Sequence, residues 1–230
     1  VDARKGKKFS VETHHALAAR AAAESTVLLK NEDGFLPLKR GTKVAVIGEF
    51  AQRARYQGAG SSVVNPTRLD NAMDVIGGFG LEVAGFEAGY PRSGPGDPAM
   101  REKAAALAGQ ADVVLLYLGL DEISESEGLD RAHMRLPQSQ TDLLQAVSAV
   151  NPNIAVILSA GSSIEIPWLD KCKALVHGYL CGQAGASSVL RVIMGEVNPS
   201  GRLAETYPLH YEDVSSAPYF PAKQRTAEYR

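Results

Sequence analysis

Five short apolar runs punctuate the chain at near-regular intervals: KVAVIG (43–48), LEVAGFE (81–87), DVVLLYLG (112–119), NIAVILS (153–159) and ALVHGYL (174–180). They are rich in β-branched residues and do not alternate cleanly between apolar and polar. Each therefore reads as a strand covered on both faces, the pattern of a parallel sheet inside an α/β protein. Segments of helical character lie between them: RLDNAMDVIGGF (68–79), PAMREKAAALAGQ (98–110), PQSQTDLLQAVSAV (137–150) and GASSVLRVIMGEV (185–197). Strand, crossover helix and parallel strand in repetition predict a doubly wound, mostly parallel sheet of five or six strands with helices on both faces. The segment GRLAETYPL (201–209) is expected to add an edge strand.

The flanks read differently. Residues 11–30, alanine-rich and preceded by Ser10 as N-cap, are expected to form one long helix that stops near NEDG (31–34). The stretch HYEDVSSAPYFPAKQRTAEYR (210–230) carries prolines and polar residues without periodicity. The chain thus divides into a linker with a packed helix (1–40), an α/β domain (41–209) and a linker or tail (210–230), and both ends read as cut from something longer.

At 45% hydrophobic and 22% charged over 230 residues, the composition supports a sizeable core, and a formal net charge of −2 with dispersed basic residues gives no footprint for nucleic acid or an anionic membrane. The apolar runs are too short to span a bilayer, and VDARKGKKFS (1–10) has no apolar segment of a signal peptide behind it. Two cysteines, Cys172 and Cys181, cannot build a disulfide framework and read as buried free thiols, which suit a reducing cytoplasm.

The densest charge is DEISESEGLDR (121–131), five carboxylates in eleven residues directly behind the apolar run ADVVLLYLGL (111–120). A calcium loop is excluded, because Gly128 at its sixth position would put Ile123, which has no side-chain oxygen, at the first. The location is what matters: ligands of open α/β sheets bind beyond the carboxyl ends of the strands. With Gly128 and Arg131 interleaved, one carboxylate could be held by amides or a guanidinium while another transfers a proton. Glu125 and Glu127, two apart in an extended loop, would point the same way, so spacing does not choose between them. The stretch VAVIGEFAQRARYQGAGSS (44–62) starts like a nucleotide-binding strand, but its glycines come too late for a dinucleotide turn and GAGSS (58–62) lacks the lysine of a phosphate loop. It reads as a glycine-permitted loop beside the site. His14 and His15 lack partners at metal-ligand spacing and read as solvated or packed side chains.

Four blocks, HHALAARAAAESTVLLKNEDGFLPL (14–38), YQGAGSSVVNP (56–66), ESEGLDRAHMRLPQSQTDLL (125–144) and GQAGASSVLRVIMGEVNPSGRLAETYP (182–208), together resemble the second, α/β sandwich domain of glycoside hydrolase family 3, the β-glucosidases and β-xylosidases. The resemblance implies a flavodoxin-like sheet and a retaining, exo-acting mechanism. In it a TIM-like barrel supplies an Asp nucleophile and this domain supplies a Glu acid/base from an E-G-x-D-R loop. Here that loop is EGLDR (127–131), which makes Glu127 the acid/base and Glu125 the runner-up. Asp130 and Arg131 are expected to brace the loop as an ion pair, with Asp121 and Glu122 solvated. No cofactor and no metal are implied. The implied partners are the barrel and a β-glucoside or β-xyloside, and the chain alone is expected to be inactive. Neither SDW nor a KHF-type segment, signatures of the barrel, occurs in the chain, and Cys181 and Ala204 stand where the family usually has proline. Family members with a His-Asp acid/base commonly lack this domain, which points to a glucosidase or xylosidase. The alternative is a stand-alone carbohydrate- or nucleotide-binding module on the same scaffold.

Overall fold

The structure, a computed structural model, describes residues 9–220; residues 1–8 of the N-terminal linker and 221–230 of the tail lie outside the described residues. One six-stranded sheet forms the centre: β1 (Val27–Asn31), β2 (Lys43–Ile47), β3 (Glu82–Glu87), β4 (Val113–Gly119), β5 (Ile154–Ser159) and β6 (Ala174–His177), in the order β1-β6-β5-β4-β2-β3. All neighbours are parallel except β1, which runs antiparallel to β6. The apolar runs occupy the middle of the sheet for the reason their composition suggests: every residue of β4 is buried, as are the first five of β5 and all of β6. The register stacks Val46 beside Leu115, Leu116 beside Val156 and Val156 beside Leu175, so branched side chains form one continuous core.

Helices cover the two faces. In one layer α1 (Val11–Ser25) packs on α6 (Gly185–Ile193), which also touches the short α3 (Ala72–Val75), while α2 (Glu49–Gln52) is a single turn leaving β2. In the other, α4 (Pro98–Ala108) packs on α5 (Gln138–Val150). Local chemistry starts them: Ser10 accepts from the Thr13 amide at 3.1 Å, and Asp97 caps α4 by accepting from Ala99 at 2.9 Å, with Pro98 in the first turn.

Three expectations are corrected. The helix expected over 11–30 ends at Ser25, and Val27–Asn31 is strand β1. The β-branched Thr26 closes the helix by donating its amide to the Ala22 and Ala23 carbonyls, after which Val27 and Leu28 pair with His177 and Val176 of β6. Residues 201–209 form no strand, because their backbone pairs with loops: Gly201 donates to the Thr26 carbonyl at 3.1 Å, and the Thr206 and Pro208 carbonyls accept from the Ser163 hydroxyl and the Ile166 amide; Gly201 also lies so close to Ser25 that a Cβ would collide with its carbonyl. Of the helix expected over 68–79 only Ala72–Val75 is α-helical, followed by a 3₁₀ turn over Ile76–Phe79, since Gly77 and Gly78 weaken the helix and Gly80 ends it at φ +71°.

The sheet positions the site. Read from its β3 edge, the order β3-β2-β4-β5-β6 reverses direction between β2 and β4, so the chain segments leaving these two neighbours diverge and open a crevice at their carboxyl ends. The exit from β4 is clamped by Gln140 of α5, which accepts from the Gly119 amide and donates to the Gly119 carbonyl, both at 2.8 Å. Gln140→Leu strands both backbone groups in the core, and a loss of about 2–4 kcal/mol is expected from urea unfolding of the variant against wild type.

Candidate functional site

Three loops meet at the carboxyl ends of β2, β4 and β5. The loop after β4 begins as a compact turn: the Asp121 carboxylate accepts from the Ser124 amide at 2.7 Å, and the Asp121 carbonyl accepts from the Glu125 amide at 3.1 Å. Asp121 is therefore buried rather than solvated, because it replaces water with a backbone donor. Glu122 is half-exposed but likewise engaged: Arg92 donates to it through Nε at 3.0 Å and Nη2 at 2.5 Å. Partial burial works to raise its pKa, yet the guanidinium bonds prevail and hold its carboxyl below the usual range.

This turn also separates the two candidate acids. Glu125 folds inward, accepting from the Gly161 amide at 2.8 Å and the Ser162 hydroxyl at 2.6 Å, with Nη2 of Arg55 4.0 Å from its carboxylate. The Arg55 side chain is 0% exposed and donates to the Leu120 and Glu125 carbonyls, both at 3.2 Å. Glu125 and Arg55 thus join the loops after β2, β4 and β5. Glu127 turns the other way. Its amide donates to the Ala59 carbonyl at 3.3 Å, and its exposed carboxylate accepts through Oε2 from the Ser61 amide at 2.7 Å and from the Ser61 hydroxyl. The hydroxyl and amide of Ser61, in that order, hold its pKa below the ordinary glutamate value. The expectation that both side chains point the same way fails because the backbone between them is turned, not extended.

Gly60 makes the approach possible: it sits at φ +93°, and a Cβ there would lie 2.6 Å from Cβ of Glu127. The expected Asp130–Arg131 ion pair does not occur among the described residues: Arg131 donates to the Ser163 carbonyl at 2.6 Å, and Asp130 is exposed. A carbonyl that would otherwise lack a donor takes the guanidinium that the sequence reading assigned to the neighbouring acid. A cleft of about 420 Å³ adjoins the site, lined by Arg92, Asp121, Ile123, Asp130 and Arg131 among others. Four apolar side chains on the two loops stay exposed, Val63, Val64, Ile123 and Leu129, each by more than half.

No motif in the sequence marks His177, at the end of β6. It is fully buried, its Nδ1 lying 3.2 Å from the Leu158 carbonyl and its Nε2 2.7 Å from the Tyr207 hydroxyl. The Leu158 carbonyl can only accept, so Nδ1 is the donor to it, while the Tyr207 hydroxyl can serve Nε2 as donor or as acceptor. Burial pushes its pKa down to about 4, against 6.5 in an unfolded chain. A depressed value means that the contribution to stability is complete above pH 6.5 and is lost as the pH falls toward 4, by about 3 kcal/mol in all. Urea midpoints of the chain should fall across that window, and fall less in His177→Gln.

Of the remaining candidates, His15, Cys172 and Cys181 are partly or fully buried and His14 is exposed. His15 lies between Asp70 (3.4 Å) and Gln183 (2.9 Å), and His14 stacks on Phe9. Cys172 and Cys181 are free, and burial pushes both thiols up to about 11, which leaves them unreactive at neutral pH.

The sequence model of the glycosyl hydrolase family 3 C-terminal domain matches residues 26–230. Over 227 residues the chain is 43% identical to thermostable β-glucosidase B of Acetivibrio thermocellus, covering 97% of this chain and 30% of that protein. It is 41% identical to an exo-α-(1→6)-L-arabinopyranosidase of Bifidobacterium breve, covering 96% of this chain and 31% of that one. Its fold matches the crystal structure of the Bifidobacterium adolescentis GH3 β-glucosidase with a TM-score of 0.89 at 42% identity, over 96% of this chain and 32% of that chain. The chain thus spans less than a third of the length of these relatives. The family match over nearly the whole chain, and the doubly wound sheet that carries it, place this chain in glycosyl hydrolase family 3, as its C-terminal domain.

Proposed function

We propose that the chain supplies the general acid/base, Glu127, to a retaining exo-acting β-glycosidase, foremost a β-glucosidase, whose nucleophilic Asp belongs to a TIM-like barrel outside this chain. One observation carries the assignment: of the two candidate glutamates, Glu125 is consumed in tying three loops together, whereas Glu127 presents an exposed carboxylate at the switch-point crevice. The exposed apolar side chains beside it, Val63, Val64, Ile123 and Leu129, suit the edge of a surface that another domain covers. A nucleotide-binding role is disfavoured, because the Ser61 amide that a phosphate would need already donates to Glu127.

The chemistry follows from two carboxyl groups about 5 Å apart. One attacks the anomeric carbon while Glu127, protonated, gives its proton to the departing glycosidic oxygen; Glu127 then takes a proton from the water that hydrolyses the glycosyl-enzyme. In this chain alone Ser61 favours the carboxylate. Substrate covering Glu127 and the charge of the nearby nucleophile raise its pKa for the first step. That charge disappears when the glycosyl bond forms, so the same group becomes a base for the second. In the complete glycosidase carrying Glu127→Ala, azide should restore turnover of an activated aryl glycoside and yield the β-glycosyl azide, identified by NMR. An α-azide, or no rescue while a Glu125→Ala variant is rescued, overturns the assignment.

A further inference from the structure

We propose that Ser61 is the positioning residue of Glu127, fixing where its carboxyl sits and the pH at which it releases its proton. The inference rests on the acid/base assignment above but uses separate observations. The loop containing Ser61 grips Glu127 at two levels: the Ala59 carbonyl accepts its amide at 3.3 Å, and the amide and hydroxyl of Ser61 both donate to carboxylate Oε2. Gly60, between them, has no side chain to hold the two loops apart, and its positive φ turns the following amide toward the carboxylate.

Both donors bind the same oxygen, Oε2. A carboxylic acid can carry its proton on Oε1, free for the glycosidic oxygen, and still accept at Oε2. Ser61 therefore holds a group that must be protonated in one step and charged in the next, with a net bias to the charged state, whose oxygen is the stronger acceptor. That bias opposes the first step and assists the second. No other charged group competes for the role: residues 57–64 contain none, Glu125 faces Gly161 and Ser162, Arg131 faces Ser163, and Glu127 forms no ion pair among the described residues.

The test begins with this chain, carrying ¹³C-labelled glutamate, and follows the side-chain carboxyl of Glu127 by NMR through a pH titration. In Ser61→Ala the titration should move to higher pH; in Ser61→Thr, which keeps the hydroxyl, it should return toward wild type. Gly60→Ala, which keeps both Ser61 donors but forces the loops apart, should move it in the same direction as Ser61→Ala. An unchanged titration in both Ser61→Ala and Gly60→Ala overturns the proposal, as does a Ser61→Thr variant that behaves like Ser61→Ala. In the complete glycosidase, kcat/KM falls as the pH rises through the pKa of the general acid, so Ser61→Ala should shift that alkaline limb upward. It should also lower kcat on activated substrates, whose slow step needs the charged base. An NMR shift with an unmoved rate profile would leave the grip of Ser61 on Glu127 standing and overturn the acid/base role of Glu127, so the two failures are told apart.

Discussion

Replacing Glu127 with alanine in the complete glycosidase is expected to lower kcat/KM by about 10²- to 10⁴-fold on glycosides with poor leaving groups, such as cellobiose, and far less on dinitrophenyl glycosides. The difference has one cause. An alkoxide leaving group is too basic to depart without a proton, whereas a dinitrophenolate departs unaided. At 1.36 kcal/mol per decade the expected loss is about 3–5 kcal/mol of transition-state stabilisation, and it should appear only where proton donation is needed. Fold is not the issue, because Glu127 is exposed and its contacts to Ser61 and Ala59 lie at the surface. Thermal or urea unfolding of the variant should stay within about 1 kcal/mol of wild type. A loss of equal size on both substrate classes would mean that the residue binds or supports, and does not donate.

Glu125→Ala should do the reverse and cost about 3 kcal/mol of folding stability. The variant leaves the Arg55 guanidinium, whose side chain is 0% exposed, without its carboxylate neighbour, and removes the acceptor from the Gly161 amide and the Ser162 hydroxyl. Uncompensated buried charge is among the few defects able to produce so large an effect. Glu125→Gln, which keeps an acceptor oxygen but not the charge, should recover part of the loss. Urea unfolding of the chain decides the matter, and a change below about 1 kcal/mol for Glu125→Ala would refute the structural role. Two glutamates separated by one serine thus have opposite expected phenotypes, and the separation follows from the turn that Asp121 closes.

The parallel sheet was legible because strands buried on both faces carry unbroken apolar runs, and β2, β4 and β5 fall within one residue of the runs that announce them. The N-terminal segment misled because high alanine content carries helix propensity up to Ser25 and TVLL beyond it fits a helix end as well as a strand; only pairing with β6 decides it. Residues 201–209 look extended in isolation, but a strand also needs a strand partner, and their backbone groups are taken by Thr26, Ser163 and Ile166 outside the sheet. At the site, the order of strand and loop sufficed to put DEISESEGLDR at the carboxyl end of β4. What each acid does there depends on donors from far along the chain: Ser61 lies 66 residues from Glu127, and Ser162 lies 37 from Glu125. Arg131 followed the same rule, finding the Ser163 carbonyl instead of its neighbour Asp130. The signal that could have found Ser61 was present in GAGSS, glycines and hydroxyls after a strand beside the switch point, but nothing local says that the anion it binds is a side chain of the same domain.

The most direct test is a crystal structure of the complete glycosidase with an unhydrolysed substrate analogue in place. The Glu127 carboxyl is expected within hydrogen-bond reach of the glycosidic oxygen, about 5–5.5 Å from the nucleophilic carboxylate, with Glu125 still bound to Gly161 and Ser162. Finding Glu125 at the glycosidic oxygen, or Glu127 turned away from the sugar, would contradict the acid/base role of Glu127.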